Sequence, residues 1–169
     1  EYTALCAASV LPLAAAVRIV RRRGALMQAA VPAGQGAMAA VLCPGIAERD
    51  FRELLAGLNV DVANKNARDQ VVLSGAAADI ATAEARVTQQ LSSVDHQVIR
   101  LNVSAPFHSR MMRGIEPDFR QVLGAHADVL DHTQAARVTS NFTGRFHVPE
   151  RAAVVDALVS QISGAVDWI

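Results

Sequence analysis

Between residues 36 and 102 the hydrophobic pattern switches repeatedly between the two-residue period of a strand and the 3.6-residue period of a helix. Such a series of switches leaves few folds open. Ala37-Met38-Ala39-Ala40-Val41-Leu42 is a short apolar run, followed by a helical pattern over Glu48–Leu58. Val60-Asp61-Val62-Ala63-Asn64 and Val71-Val72-Leu73-Ser74 read as strands separated by a polar turn. Ala78–Leu91 is amphipathic at helical spacing, and His96–Val103 alternates like a strand. The predicted order is β-α-β-β-α-β, a ferredoxin-like subdomain spanning residues 36–102.

The flanking residues, 1–35 and 103–169, read as parts of a larger core in an α/β chain. Tyr2–Ala8 is the end of a buried helix, and Val10-Leu11-Pro12-Leu13 is a turn. A second helix then runs over Leu13–Ala30 and stops before Pro32, because the residue before a proline is driven out of helical geometry. Helices are expected over His108–Gly114, Pro117–His126 and Glu150–Ile162, with a short strand at Arg137–Asn141. Both ends of the sequence read as cut from something longer.

Lys plus Arg and Asp plus Glu each number 16, so the formal net charge is zero. That balance argues against nucleic acid or an anionic membrane as partner. The apolar first twenty residues are interrupted by Glu1, Pro12 and Arg18, which excludes a membrane span there. Cys6 and Cys43 form neither a CxxC pair nor a metal spacing, consistent with buried thiols in a reducing, cytoplasmic setting.

The helix over Leu13–Ala30 carries four arginines with different expected fates. Arg18, Arg21 and Arg22 share one side and face solvent, whereas Arg23 falls among Ile19, Val20, Leu26 and Met27. A guanidinium in that position requires a partner, since an unpaired buried charge costs roughly 3–5 kcal/mol. The partner is either an internal carboxylate or a bound anion; a side chain that reaches water is the third possibility.

The stretch Leu101-Asn102-Val103-Ser104-Ala105-Pro106-Phe107-His108-Ser109 delivers a histidine just after a strand-like run. Taken alone, a histidine after Phe is more often packed or solvated than catalytic, and His96, His126, His132 and His147 are read that way. Together with Glu1-Tyr2-Thr3-Ala4-Leu5, and with Arg23-Gly24 followed by Met27-Gln28-Ala29-Ala30-Val31-Pro32, the stretch resembles the malonyl-CoA:acyl-carrier-protein transacylase family, the acyltransferase domain of fatty-acid and polyketide synthases. The resemblance covers nearly the whole chain, with its motifs in family order.

The resemblance implies an α/β-hydrolase-like acyltransferase core carrying the inserted subdomain. It also implies transfer of malonyl from malonyl-CoA to the phosphopantetheine thiol of an acyl carrier protein. His108 is then the general base, and Arg23 holds the malonyl carboxylate in a planar, two-pronged grip that Lys cannot make. Phe107 stands where a bulky ring goes with malonyl and a small residue with methylmalonyl. Met27 lies in the arginine's segment. Asn64 and Asn66 match a loop beside the cleft, although turn formation explains two nearby asparagines equally well. No metal or redox cofactor is implied, and the parent is a free enzyme or part of a larger synthase. In that family Glu-Tyr-Thr-Ala-Leu follows Gly-His-Ser-x-Gly, whose serine is the nucleophile. No Gly-x-Ser-x-Gly occurs among the 169 residues, so the nucleophile is expected upstream of Glu1. Ser104 and Ser109 read as structural, Ser109 as a local cap. Two alternatives stay open: an acyl hydrolase of the same fold, which commonly lacks the arginine, and a non-catalytic docking module for the carrier protein.

Overall fold

The computed structural model describes residues 1–169, a mixed α/β arrangement in which an antiparallel sheet leans on a group of helices. Helices α1 (Tyr2–Ala7) and α2 (Leu13–Ala30) open the chain. Pro12 stands at the N-cap of α2, where its missing N–H costs nothing, and the helix ends at an extended Val31 before Pro32. Strands β1 (Gly36–Leu42), β2 (Val60–Ala67) and β3 (Gln70–Ala76) follow, then α3 (Ala77–Gln90) and β4 (Gln97–Arg100). Helices α4 (Glu116–Gly124) and α5 (Arg151–Ser160) come next, and β5 (Val166–Asp167) closes the chain. No helix is long and apolar enough to cross a membrane.

The sheet order is β4-β1-β3-β2-β5. The first four strands pair antiparallel, and β5 joins parallel to β2 at Asn64 and Lys65. One sheet face packs on α3 through Ala39, Val41, Val60, Val71, Leu73, Ile80 and Val87. The opposite face presents Met38, Ala40, Ala63 and Val72, with Leu101, Val103 and Phe107 against them. A separate core of Leu5, Ile19, Met27, Met112, Phe119, Leu123 and Leu158 joins α1, α2, α4 and α5.

Three expectations are corrected. Residues 48–58 do not form an α-helix: a 3-10 turn at Ile46–Glu48 gives way to an extended Arg49 and then to tight turns. Asp50 Oδ1 accepts from the Arg52 N–H at 2.9 Å, a local bond that competes with helical pairing, and Gly57 has φ +76°. Phe51, Leu54, Leu55 and Leu58 still pack on the α3-side core, so the periodicity reported burial without regular backbone. Residues 132–137 are 3-10 helix, and the expected strand over Arg137–Asn141 shrinks to a bridge between Thr139 and Phe146. The helix expected to begin at His108 is a 3-10 segment over Arg110–Ile115, and His108 itself has φ +56°.

The register of β2 decides which side chains reach the far face of the sheet. Val62 pairs with Leu73 but Asn64 pairs with Val72, so the ladder slips at Ala63. A bulge inverts the in–out alternation beyond it. Val60 and Val62 consequently face α3, while Asn64 and Asn66 turn to the opposite side.

Candidate active site

A cleft of about 590 Å³ lies between α2 and the sheet face that carries Met38 and Val72. His108, Arg23, Phe107, Met27, Asn64 and Asn66 all line it. Residues separated by 85 positions in sequence, from Arg23 to His108, thus share one surface. Gln28 lines the cleft as well, and its Oε1 accepts from Ser104 Oγ.

Arg23 is half-buried on α2, between fully buried Ile19 and Met27, whereas Arg18, Arg21 and Arg22 are exposed. Val20, expected beside it, is 44% exposed and takes no part in its surroundings. No carboxylate stands within ion-pair distance of the guanidinium. Its one hydrogen bond runs from Nη2 to Gln161 Oε1 at 3.1 Å, and Nε is buried without a partner. Burial pushes the Arg23 pKa down, with the Tyr2 hydroxyl and Glu1 opposing. The side chain stays charged in any protein setting. A half-buried cation with an orphaned donor at the wall of a cleft can pair with an anion.

His108 sits in the left-handed backbone region, which costs a non-glycine residue about 1–2 kcal/mol and concentrates at functional positions. Its Nδ1 donates to the Gln161 carbonyl oxygen at 2.7 Å. A carbonyl only accepts, so Nδ1 carries the proton and Nε2 is the basic nitrogen. The carbonyl is available because Gln161 caps α5, and the last carbonyls of a helix have no intrahelical partner. Burial lowers the His108 pKa from its ordinary 6.5, helped by the Arg23 charge, while main-chain bonds to Gln161 and Gly164 pull it back. The ring is therefore neutral, and competent to accept a proton, at neutral pH.

The carbonyl that orients the His108 ring belongs to Gln161. Ser109 does not cap the following turn: its Oγ donates back to the Pro106 carbonyl at 2.7 Å. His96 and His126 bond local carbonyls, of Val94 and Val122. His147 is buried and donates from Nε2 to Glu1 Oε1 at 2.7 Å. Gln161 escaped notice in the sequence, and Glu1 was read only as part of a motif, with no role of its own. A polar Gln beside the apolar Leu158, Val159 and Ile162 was the available signal.

The acyl transferase domain family matches residues 1–151. The chain belongs to that family. As an acyltransferase-domain chain it is 34% identical over 171 residues to the malonyl CoA-acyl carrier protein transacylase of Bacillus subtilis, covering 98% of this chain and 51% of the relative. Among solved structures it is similar to the acyl-carrier-protein S-malonyltransferase of Burkholderia pseudomallei, with TM-score 0.86 and 34% identity over 99% of this chain and 53% of that one. It is also similar to the malonyl-transacylase solved in complex with a type II polyketide-synthase acyl-carrier protein, with TM-score 0.83 and 29% identity over 99% and 52% of the two chains. The acyltransferase-domain chain thus spans about half the length of these proteins.

Proposed function

We propose that this chain supplies the base and the carboxylate anchor of an enzyme that moves malonyl from malonyl-CoA to the phosphopantetheine thiol of an acyl carrier protein. The carrying observation is that a half-buried arginine without a carboxylate partner and a neutral histidine wall one cleft and are held by the same residue, Gln161. The B. subtilis relative's activity, and the carrier-protein complex of the polyketide-synthase relative, support the choice of substrate and partner.

The attacking hydroxyl belongs to a serine outside these 169 residues, which hold no Gly-x-Ser-x-Gly. As the serine oxygen bonds the thioester carbon, His108 Nε2 takes its proton. The carbon–sulfur bond then breaks, and the CoA thiolate leaves with the proton from Nε2. In the second half-reaction the phosphopantetheine thiol gives its proton to Nε2 and attacks the acyl-serine, and serine oxygen recovers the proton. Arg23 pairs with the free malonyl carboxylate throughout, while Phe107 and Met27 wall the acyl chain and Asn64 and Asn66 offer amides from β2. Residues 36–102 act as a ferredoxin-like subdomain over a larger α/β-hydrolase-like core that includes 1–35 and 103–169. The antiparallel β4-β1-β3-β2 order and separate apolar clusters support that division.

The test is acyl loading of the full-length protein, followed by intact mass. A charge-assisted pair contributes roughly 1.5–3 kcal/mol, so Arg23→Ala lowers the malonyl-over-acetyl preference about 10- to 150-fold. An unchanged preference overturns the anchor assignment. A hydrolase of the same fold has no need of this anion hook.

A further inference from the structure

Arg23 and His108 are both tied to Gln161, and Gln161 is in turn tied to a buried pair that the reaction above does not use. Gln161 Nε2 donates to Glu1 Oε2 at 2.6 Å, and the Asn141 N–H donates to the same oxygen at 3.0 Å. Glu1 Oε1 accepts from His147 Nε2 at 2.7 Å, with the side chains 1% and 2% exposed. Gln161 is 4% exposed. We propose that Glu1, braced by His147, is a positioning residue that fixes which way round the Gln161 amide sits, and so aims Arg23 into the cleft. This rests on the carboxylate-anchor reading of Arg23.

A primary amide has nearly the same shape in both orientations, so its neighbours choose between them. A carboxylate has only acceptors to offer and a guanidinium only donors. Glu1 therefore demands the amide N–H2 of Gln161, which leaves Oε1 facing Arg23 Nη2. Without the carboxylate, nothing prevents the amide from turning its N–H2 toward the guanidinium, where two donors meet and Arg23 is pushed from its position. His147 occupies the second Glu1 oxygen and stops the carboxylate from rotating toward Arg23 itself. That is why the guanidinium keeps a free donor for substrate rather than an internal ion pair.

The experiment uses the full-length protein and compares kcat/KM for loading from malonyl-CoA and acetyl-CoA. Glu1→Met fills the same space without an acceptor, and its malonyl-over-acetyl ratio is expected to fall at least tenfold. Glu1→Gln can accept from Gln161 and Asn141 while donating to His147 Nε2, once the His147 proton moves to Nδ1, and is expected to restore most of the ratio. In an Arg23→Ala background Glu1→Met is expected to leave the ratio where Arg23→Ala alone put it, because both act through one contact. Equal losses with both thioesters in Glu1→Met, or additive effects on the ratio in the double variant, overturn the proposal. Should Glu1→Met not fold, the paired change Glu1→Met with His147→Leu removes both buried partners together and is read in the same way. If Arg23→Ala itself leaves the ratio unchanged, the anchor reading fails and this proposal with it. If Arg23→Ala collapses the ratio and Glu1→Met spares it, only the role of Glu1 fails.

Discussion

His108 combines a strained backbone with a desolvated ring, and both features follow from packing around one side chain. Its pKa lies below 6.5 first because burial disfavours the imidazolium, and then because of the Arg23 charge. Removing that charge in Arg23→Gln is expected to raise the His108 pKa, with the Nδ1 bond to Gln161 intact. An NMR titration of the His108 Cε1–H resonance in this chain measures it, and an unmoved or lowered midpoint contradicts the coupling. The folded value is below the unfolded one, so the unfolded chain binds the proton first. The contribution of His108 to stability is therefore intact above pH 6.5 and lost as pH falls toward the lowered native value. At this scale much was legible in the sequence. The helical spacing of Ile19, Arg23, Leu26 and Met27 places Arg23 inward, because burial follows the 3.6-residue period. Left-handed geometry at His108 was not legible, since nothing in Ala-Pro-Phe-His-Ser demands a positive φ.

Among the elements, β1, β2, β3 and the long helices followed their local patterns closely, and α2 runs over the predicted Leu13–Ala30. The segment over 48–58 did not. Its leucines recur at helical spacing, yet an Asx turn at Asp50 and a left-handed Gly57 break the backbone, and Arg86 Nη1 donates to the carbonyls of Leu54 and Ala56 at 2.9 and 3.0 Å. Hydrophobic contact with α3 and the sheet is obtained by tight turns, which the apolar count alone does not distinguish from a helix. Glycines show the difference between local and tertiary demands. A Cβ on Gly75 in β3 would lie 2.0 Å from the Asn59 carbonyl oxygen, whereas one on Gly114 would meet nothing within 4 Å. Gly75→Ala is expected to destabilise the chain by about 1–3 kcal/mol through overpacking against backbone. Gly114→Ala should be neutral or stabilising by about 0.4–1 kcal/mol through reduced unfolded-state entropy. Urea denaturation of the two variants decides the matter, and equal midpoints would contradict the crowding at Gly75.

For the molecule as a whole, stability rests on two large apolar clusters and a third, smaller one, with the cleft formed where the sheet face of Met38 and Val72 approaches α2. Polar links between the sheet and the segment after His108 are peripheral. Arg110 Nη2 meets Asp61 Oδ1 at 2.6 Å, with the arginine side chain 54% exposed. Asp61→Asn is therefore expected to cost less than about 1 kcal/mol, and less still at high salt. Phe119, fully buried between α2 and α5, should cost about 3–5 kcal/mol on change to Ala. Thermal unfolding of both variants at low and high salt tests the ranking, which a larger loss from Asp61→Asn would reverse. The sequence by itself determined where β1, β2, β3 and the long helices run, that Arg23 turns inward, and that the chain carries the motifs of an acyltransferase domain. These properties are written in neighbours a few residues apart, where backbone period couples directly to burial. Tertiary structure alone decided that Gln161 would reach Arg23 across 138 positions and Glu1 across 160, and that a bulge at Ala63 would turn Asn64 and Asn66 into the cleft. A hydrogen bond between distant residues leaves no periodic trace, because its partners are chosen only when packing brings their donors and acceptors together.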